Sequence, residues 1–312
     1  MRLCSPAVQR VLIIFNPIAG QRRRNLLDAV ILGLENAGVR VQMRSTTARG
    51  DAERIARMTV SAADPDVDLI AIAGGDGTIN EALNGMVGGA LPMAVIPLGT
   101  ANVLAAEIDL RVNAPAIINC ILRGERVPVR LGAANGRLFV LMAGAGLDAE
   151  VVDRVDSALK QRIGKLAYML ATVQCLITGR LGRFAIDLDG QRHEVSAVVA
   201  ANAHFYGGKF VIARDARMWS PELHFCLFKG HGRLGALKLG LGMVTGLLER
   251  FHDFEVRVGQ AAVITPLTPH RDGADHPIQG DGDIIAQMPS RIELSPRCID
   301  LVVPAISVVR QR

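Results

Sequence analysis

The chain has 312 residues, half of them hydrophobic and 21% charged, with a formal net charge of +5. That balance excludes wholesale disorder, and 32 Gly and 14 Pro without a repeat period exclude collagen-like and solenoid architectures. Aromatic residues make up only 4%, too few for a stacking platform on single-stranded nucleic acid, so no nucleic-acid partner is expected.

Arg10 to Phe15 is a short apolar run, as expected of a strand buried on both faces. Asn16-Pro17-Ile18-Ala19-Gly20 reads as a turn, being built of structure-breaking residues. Leu26, Leu27, Val30, Ile31 and Leu34 give 25–37 a helical period, which Gly38 can end. A strand over 39–44, a helix over 50–61 and a strand over 68–73 follow. Gly74-Gly75-Asp76-Gly77-Thr78 opens a helix that continues over 79–86; a strand over 93–96 and a helix over 101–108 come next. Strands alternating with helices predict an α/β domain with a parallel sheet, assigned to residues 1–127.

The pattern changes near Pro128. Short runs at 138–141, 184–188, 196–201, 224–228, 254–258, 262–264 and 291–294 read as antiparallel strands. A mostly β domain is therefore expected over 128–298, and whether 299–312 returns to the first domain is left open. Two helical candidates stand among the strands. The stretch 159–178, with Lys160, Arg162, Lys165 and then Arg180, reads as a core helix or one lying on a membrane face, and 234–248 is a second candidate.

Cysteines at 4, 120, 175, 226 and 298 form no CxxC pair, which argues against a disulfide scaffold or a cysteine zinc site and fits a reducing, cytoplasmic setting. The apolar run Val11 to Phe15 has five residues, against roughly 7–15 in a signal peptide. Leu166 to Thr178 has 13, against about 20 in a spanning helix, so no transmembrane segment is expected. Eight arginines within residues 1–49 face only Asp28 and Glu35. That excess is either a solvated basic face or a surface for an anionic partner, namely nucleotide phosphates or an anionic membrane. Seven histidines show no zinc spacing; His270 and His276, among Asp272 and Asp275, read as part of a solvated loop.

The chemistry is concentrated after the strands. Glycines between a strand and a helix let backbone N–H groups approach an anion, and Thr78 can cap the helix or bond a phosphate oxygen. Asp76 beside such a site repels phosphate unless it holds a metal or takes a proton. Pro97-Leu98-Gly99-Thr100-Ala101-Asn102 repeats the arrangement after the next strand, and Asn16 to Gly20 and Thr46 to Asp51 follow the first two. Loops at the ends of neighbouring parallel strands converge on one crevice. Asp281-Gly282-Asp283, by its residues alone, is first a hairpin turn.

Taken together, Asn16-Pro17 with Gly20, Gly74 to Thr78 with Glu81 and Asn84-Gly85, and Pro97 to Thr100 with Asn102 resemble the catalytic domain of the diacylglycerol kinase family. The resemblance continues in Ala143 to Ala149, Tyr206-Gly207-Gly208 and Gln279 to Asp283, and covers residues 10–300 in the family's order. The GGDGT motif is shared with NAD kinases and is similar to one in phosphofructokinases. PLGT-x-N with the late DG[DE] is more specific to lipid kinases.

This resemblance implies an N-terminal nucleotide-binding α/β domain and a C-terminal β-sandwich, with the active site in the cleft between them. It implies ATP as donor, Mg²⁺, and a lipid alcohol such as diacylglycerol or a sphingoid base as acceptor. By position, Asn16, Gly20, Thr46, Gly74, Gly75, Asp76, Gly77, Thr78, Ile79, Asn80 and Thr100 match the nucleotide contacts, with Asp76 the candidate for the catalytic magnesium. Asp283 matches the proton acceptor, with Asp281 beside it as the other candidate; many members carry Glu at 283, one methylene longer. A kinase of a soluble acceptor, as in NAD kinases, and a relative without turnover are the alternatives. Peripheral contact with an anionic membrane is expected, and a homodimer is left open.

One departure stands out. Where bacterial members carry Asp-Gly for a structural Mg²⁺ site, this chain has Ser220-Pro221. Serine is a poor magnesium ligand beside a carboxylate, so that second-domain site is expected to be lost or altered, with Asp215 and Glu222 as the nearby acids. Metal analysis of the purified protein should find no tight Mg²⁺ near 220, and Ser220→Asp should restore it; tight Mg²⁺ there in the unaltered chain overturns this expectation.

Overall fold

The computed structural model describes residues 8–20, 23–62, 66–154, 182–230, 232–270 and 273–305. The helical candidate at 159–178 lies outside them. The chain divides into two compact units, Met1–Val129 with Arg297–Arg312, and Arg130–Pro296.

The first unit runs β1 (Arg10–Phe15), α1 (Pro17–Gly20), α2 (Arg24–Asn36), β2 (Arg40–Ser45), α3 (Asp51–Val60), β3 (Leu69–Gly74), α4 (Asp76–Met86), β4 (Met93–Pro97), α5 (Val103–Glu107) and α6 (Ala114–Arg123). The strands form a parallel sheet in the order β2-β1-β3-β4. Beyond β4, Leu301 from the chain's last strand pairs in parallel with Met93. β3 and β4 are buried along their whole length, and so is β1 after Arg10, because helices cover both faces. β2 is the partly exposed edge. The register aligns Phe15 with Ser45 and Ala73, and Ala73 with Ile96. Four strands thus end level, and the loops after them leave one rim of the sheet.

Asn16 to Gly20 is not a simple turn. Pro17–Gly20 forms a helical turn, with Asn16 Oδ1 accepting the N–H groups of Ile18 at 3.0 Å and Ala19 at 3.3 Å. An N-capping Asn with Pro at the first helical position is a helix start, and that preference overrides the breaker composition. Lower in the unit, a methyl group on Gly85 would collide with the Glu53 carbonyl, so this glycine sets how closely α3 and α4 pack.

The second unit takes in the end of β5 (Glu125–Ala134), then β6 (Arg137–Phe139), β7 (Met142–Ala145), α7 (Leu147–Arg154), β8 (Phe184–Leu188), β9 (Gln191–Val195) and β10 (Ala197–Ala201). It continues through β11 (Phe205–Tyr206), β12 (Phe210–Val211), β13 (Leu223–Phe228), α8 (Gly232–Thr245), β14 (Phe254–Gly259), β15 (Ala261–Pro266), β16 (Pro277–Gly280), β17 (Asp283–Gln287) and the start of β18 (Ser290–Val303). One antiparallel sheet has the order β14-β13-β10-β7-β16-β17, and a second has β18-β15-β8-β9. Phe225, Val198 and Ile278 of the first sheet share one buried cluster with Phe184, Ile186 and Ile292 of the second, which makes the unit a sandwich.

Two expectations need correction. The strand predicted over 138–141 is interrupted, because the N–H groups of Val140 and Leu141 bond the Asp281 carboxylate instead of a neighbouring strand. Residues 234–248 do not supply a core helix: α8 buries Leu239 and Gly242 while Leu234, Leu237, Leu241 and Val244 are exposed. No helix among the described residues is long and apolar enough to cross a membrane.

Candidate active site

In the first unit the loops after β3 and β4 meet backbone to backbone. A side chain on Gly99 would place its Cβ 2.6 Å from the Gly75 Cα, so this approach requires glycine at 99, while a Cβ on Gly75 would stand 3.4 Å from the Gly99 Cα, in ordinary contact. Gly74 is equally constrained, since a Cβ there would lie 2.8 Å from that of Thr78. The Leu98 and Gly99 N–H groups both bond the Gly74 carbonyl, at 2.9 and 3.2 Å, which locks the second loop onto the first.

α4 begins at this contact. Its first i→i−4 bond runs from the Ile79 N–H to the Gly75 carbonyl at 3.1 Å, so the N–H groups of Asp76, Gly77 and Thr78 belong to the opening turn of the helix. That turn presents N–H groups and the positive end of the helix dipole, the usual setting for a phosphate. Thr78 is held in place by Asn16, whose Nδ2 donates to Thr78 Oγ1 at 2.8 Å. The first and third strand-end loops are thereby joined. Arg23 adds a link from α2, donating through Nη1 to the Pro97 carbonyl at 3.0 Å.

Asp76 has a structural task that its sequence context does not announce. Its two carboxylate oxygens accept the N–H groups of Val103 and Leu104, each at 3.2 Å. It therefore caps α5, whose own N-cap residue Asn102 stands in left-handed backbone at φ 50° and makes no side-chain cap. A half-buried carboxylate beside glycine backbone also fits Mg²⁺, which is commonly held by one or two carboxylates together with phosphate oxygens.

The remaining predicted contacts divide. The Thr46 N–H bonds the Phe15 carbonyl at 2.8 Å, so its loop starts at the rim. That loop is then held by Asp51, which accepts Thr47 N–H at 2.8 Å, Thr47 Oγ1–H at 2.6 Å and Ala48 N–H at 3.1 Å. These bonds, with Arg54, hold the Asp51 carboxyl well below the usual carboxylate range. Thr100 is exposed on its loop, and Gly20 closes α1. Ile79 and Asn80 turn inward: Ile79 packs in the core, and Asn80 is buried and accepts from Asn84 Nδ2. Their side chains belong to α4 packing.

In the second unit three motifs converge on a residue the sequence did not single out, Asp148 on α7. Tyr206 donates its hydroxyl to Asp148 Oδ1, and Gln279 Nε2 donates to Oδ2 at 2.6 Å. Gly144 must be glycine, because a Cβ there would run into Asp148 Oδ2. Burial pushes the Asp148 carboxyl up from its ordinary range, while the bonds from Tyr206 and Gln279 pull it down. The available signal was that Asp148 is the lone charge in Ala143 to Ala149.

Asp281 and Asp283 prove unlike. Asp281 and Gly282, at φ 51° and 91°, form the two-residue turn between β16 and β17. The buried Asp281 carboxylate accepts three backbone N–H groups, from Val140 at 2.8 Å, Leu141 at 2.9 Å and Met142 at 3.0 Å. The Gly282 N–H bonds Gln279 Oε1 at 3.0 Å, tying the turn to the Asp148 group. Asp283 starts β17 as a half-buried residue opposite Gly280. Ser220 sits in a turn, its N–H bonded to the Arg217 carbonyl at 2.9 Å. His270 and His276 are not solvated: their side chains are 9% and 7% exposed and both face Glu150.

Both parts of the chain are similar to known proteins. Residues 10–134 match the diacylglycerol kinase catalytic domain, and residues 142–303 match the YegS C-terminal NAD kinase beta sandwich-like domain. The chain is 33% identical over 217 residues to a diacylglycerol kinase of Bacillus subtilis (strain 168), covering 68% of this chain and 71% of that one. It is 31% identical over 215 residues to a diacylglycerol kinase of Staphylococcus carnosus (strain TM300), covering 67% and 69%. The crystal structure of a diacylglycerol kinase from Bacillus anthracis str. Sterne has the same fold, with a TM-score of 0.75 at 24% identity, covering 96% of this chain and 98% of that one.

Removing the Asp281 carboxylate leaves three buried N–H groups without their acceptor. Asp281→Ala should therefore lower unfolding free energy by about 2–4 kcal/mol, read from urea denaturation. A loss below about 0.5 kcal/mol contradicts the anchoring role.

Proposed function

Because the chain belongs to the diacylglycerol kinase family, we propose that it transfers the γ-phosphoryl group of ATP to the hydroxyl of a lipid such as diacylglycerol or a sphingoid base. The observation that carries this reading is the contact of Gly75 with Gly99 at the opening turn of α4, a backbone cradle of the kind phosphates occupy. In this reading Asn16, Thr46, Gly74 to Thr78 and Thr100 take the nucleotide, with Ile79 and Asn80 holding α4 in the sheet beneath it. Asp76 would hold Mg²⁺, directly or through water, and the ion would offset charge on the phosphates.

Phosphoryl transfer needs positioning and charge neutralisation more than covalent help from the protein. The acceptor oxygen forms a bond to the γ-phosphorus, the bond from that phosphorus to the β–γ bridging oxygen breaks, and ADP leaves. The hydroxyl proton passes to a carboxylate. Asp283 is the candidate, because Asp281 is committed to the backbone of 140–142 and Asp148 to Tyr206 and Gln279. An assay with radiolabelled ATP and diacylglycerol, sphingoid base or NAD should label a lipid. Asp283→Asn should lower kcat by about 10²–10⁴-fold, and Asp76→Ala should abolish turnover in a folded protein. Labelling of NAD alone, or ATP binding without labelled lipid, overturns the lipid-kinase reading.

The acceptor implies work at a membrane surface, on the cytoplasmic side. α8 supports this: Leu234, Leu237, Leu241 and Val244, spaced by three or four residues, are 83%, 59%, 62% and 65% exposed. Arg233 and Lys238 flank the stripe, with Lys238 paired to Asp253 at 2.6 Å. Sedimentation with vesicles containing phosphatidylglycerol should carry the protein down, and Leu237→Glu with Leu241→Glu should weaken binding about tenfold or more. Unchanged vesicle binding removes α8 from the contact, and a dimer that the same pair dissociates would reassign the stripe to self-association.

A further inference from the structure

One cluster of ligand-type side chains takes no part in the proposed kinase chemistry. Among the described residues, Glu150, His270 and His276 each offer a donor atom, and the three atoms lie within 4.8 Å of one another. Glu150 is on α7, His270 lies between β15 and β16, and His276 immediately precedes β16. All three belong to the second unit.

The rings are held. His276 Nε2 lies 2.9 Å from the Thr268 carbonyl, and its ring meets Phe184 and His270 edge to face, each at 5.0 Å. A carbonyl acceptor keeps the hydrogen on Nε2 and leaves the Nδ1 lone pair of the neutral ring turned to Glu150 Oε1, 4.0 Å away. A backbone carbonyl on the far nitrogen is the usual partner of a metal-bound histidine. His270 Nε2 lies 2.9 Å from the same Glu150 oxygen. His270 Nδ1, the nitrogen that does not face Glu150, is buried and without a partner among the described residues, with or without an ion on Nε2.

The spacing is also close to that of a metal site. Donor atoms about 2.1 Å from a tetrahedral ion stand about 3.4 Å apart. The two distances to Glu150 Oε1, 2.9 and 4.0 Å, lie on either side of that value, and small side-chain movements equalise them. Two imidazoles and a carboxylate suit zinc and its neighbours; magnesium and calcium prefer all-oxygen sets. We propose that Glu150, His270 and His276 form a three-ligand site for a zinc-class divalent ion, with solvent completing the coordination. The ion fastens α7, two residues beyond Asp148, to the connection between β15 and β16. This site is independent of the acceptor and of turnover.

The test uses the full-length chain, stripped with chelator and dialysed. Zn²⁺ titrated against a chromophoric competitor should bind one equivalent tightly, and at a hundredfold excess over Kd it should raise Tm by about 5 °C or more. Co²⁺ in its place should give the intense visible absorption of a four- or five-coordinate ion. His270→Gln and Glu150→Gln should each weaken Zn²⁺ binding about 100-fold or more, beyond the loss usual for outer-shell partners. Equal affinity in these variants, or a weak octahedral Co²⁺ spectrum in the unaltered chain, overturns the proposal and leaves a histidine–glutamate ion pair. The Co²⁺ spectrum decides the matter even where a variant does not fold.

Discussion

The first unit of this protein depends on two backbones in contact, Gly75 against Gly99. Any side chain at Gly99 would separate the loops after β3 and β4. The contact brings the starts of α4 and α5 close enough for one carboxylate, Asp76, to reach from the first helix to the N–H groups of the second. The Gly74 carbonyl, shared by Leu98 and Gly99, holds the arrangement from the sheet side. Without the glycine contact, the level strand ends would still form a rim, but its loops would not close into a cradle.

Carboxylates act as connectors throughout the structure. Asp76 joins α4 to α5, Asp51 gathers the loop after β2, Asp281 replaces a strand partner for residues 140–142, and Asp148 receives Tyr206 and Gln279. Hydrogen bonds to a charged acceptor are stronger than those between neutral groups, and several to one carboxylate fix a loop that no hydrophobic contact could orient. An acid in a family-like motif is therefore an ambiguous sign. Asp281 stands two residues from Asp283, yet its oxygens serve the backbone.

Much of the fold could be read from the chain. The buried runs at β1, β3 and β4 and the helices between them carry a strong periodic signal, and the shift to short alternating runs after Pro128 marks the second architecture. The strand-end loops of the first unit were readable too, since glycine and threonine recur directly after buried strands. The helical turn of α1 was not, because Asn and Pro read as breakers until the Asn16 side chain is seen to cap it. The break at 140–141 was hidden because its cause, Asp281, lies about 140 residues away. Burial of His270 and His276 was equally beyond local reading: their neighbours are polar, and only the fold brings Phe184 and Glu150 against them. The inward turn of Ile79 and Asn80 likewise follows from which face of α4 meets the sheet.

The helix starts along the rim differ in charge balance. α3 opens with Asp51 and Glu53, so its positive pole is met by its own acids. The pole of α5 is met by the borrowed carboxylate of Asp76. At α4 the single acid of the first turn points away, toward that neighbour. Of these three helices, α4 is the one whose first-turn acid bonds a neighbouring helix, so three starts alike in outline differ in how their positive ends are met.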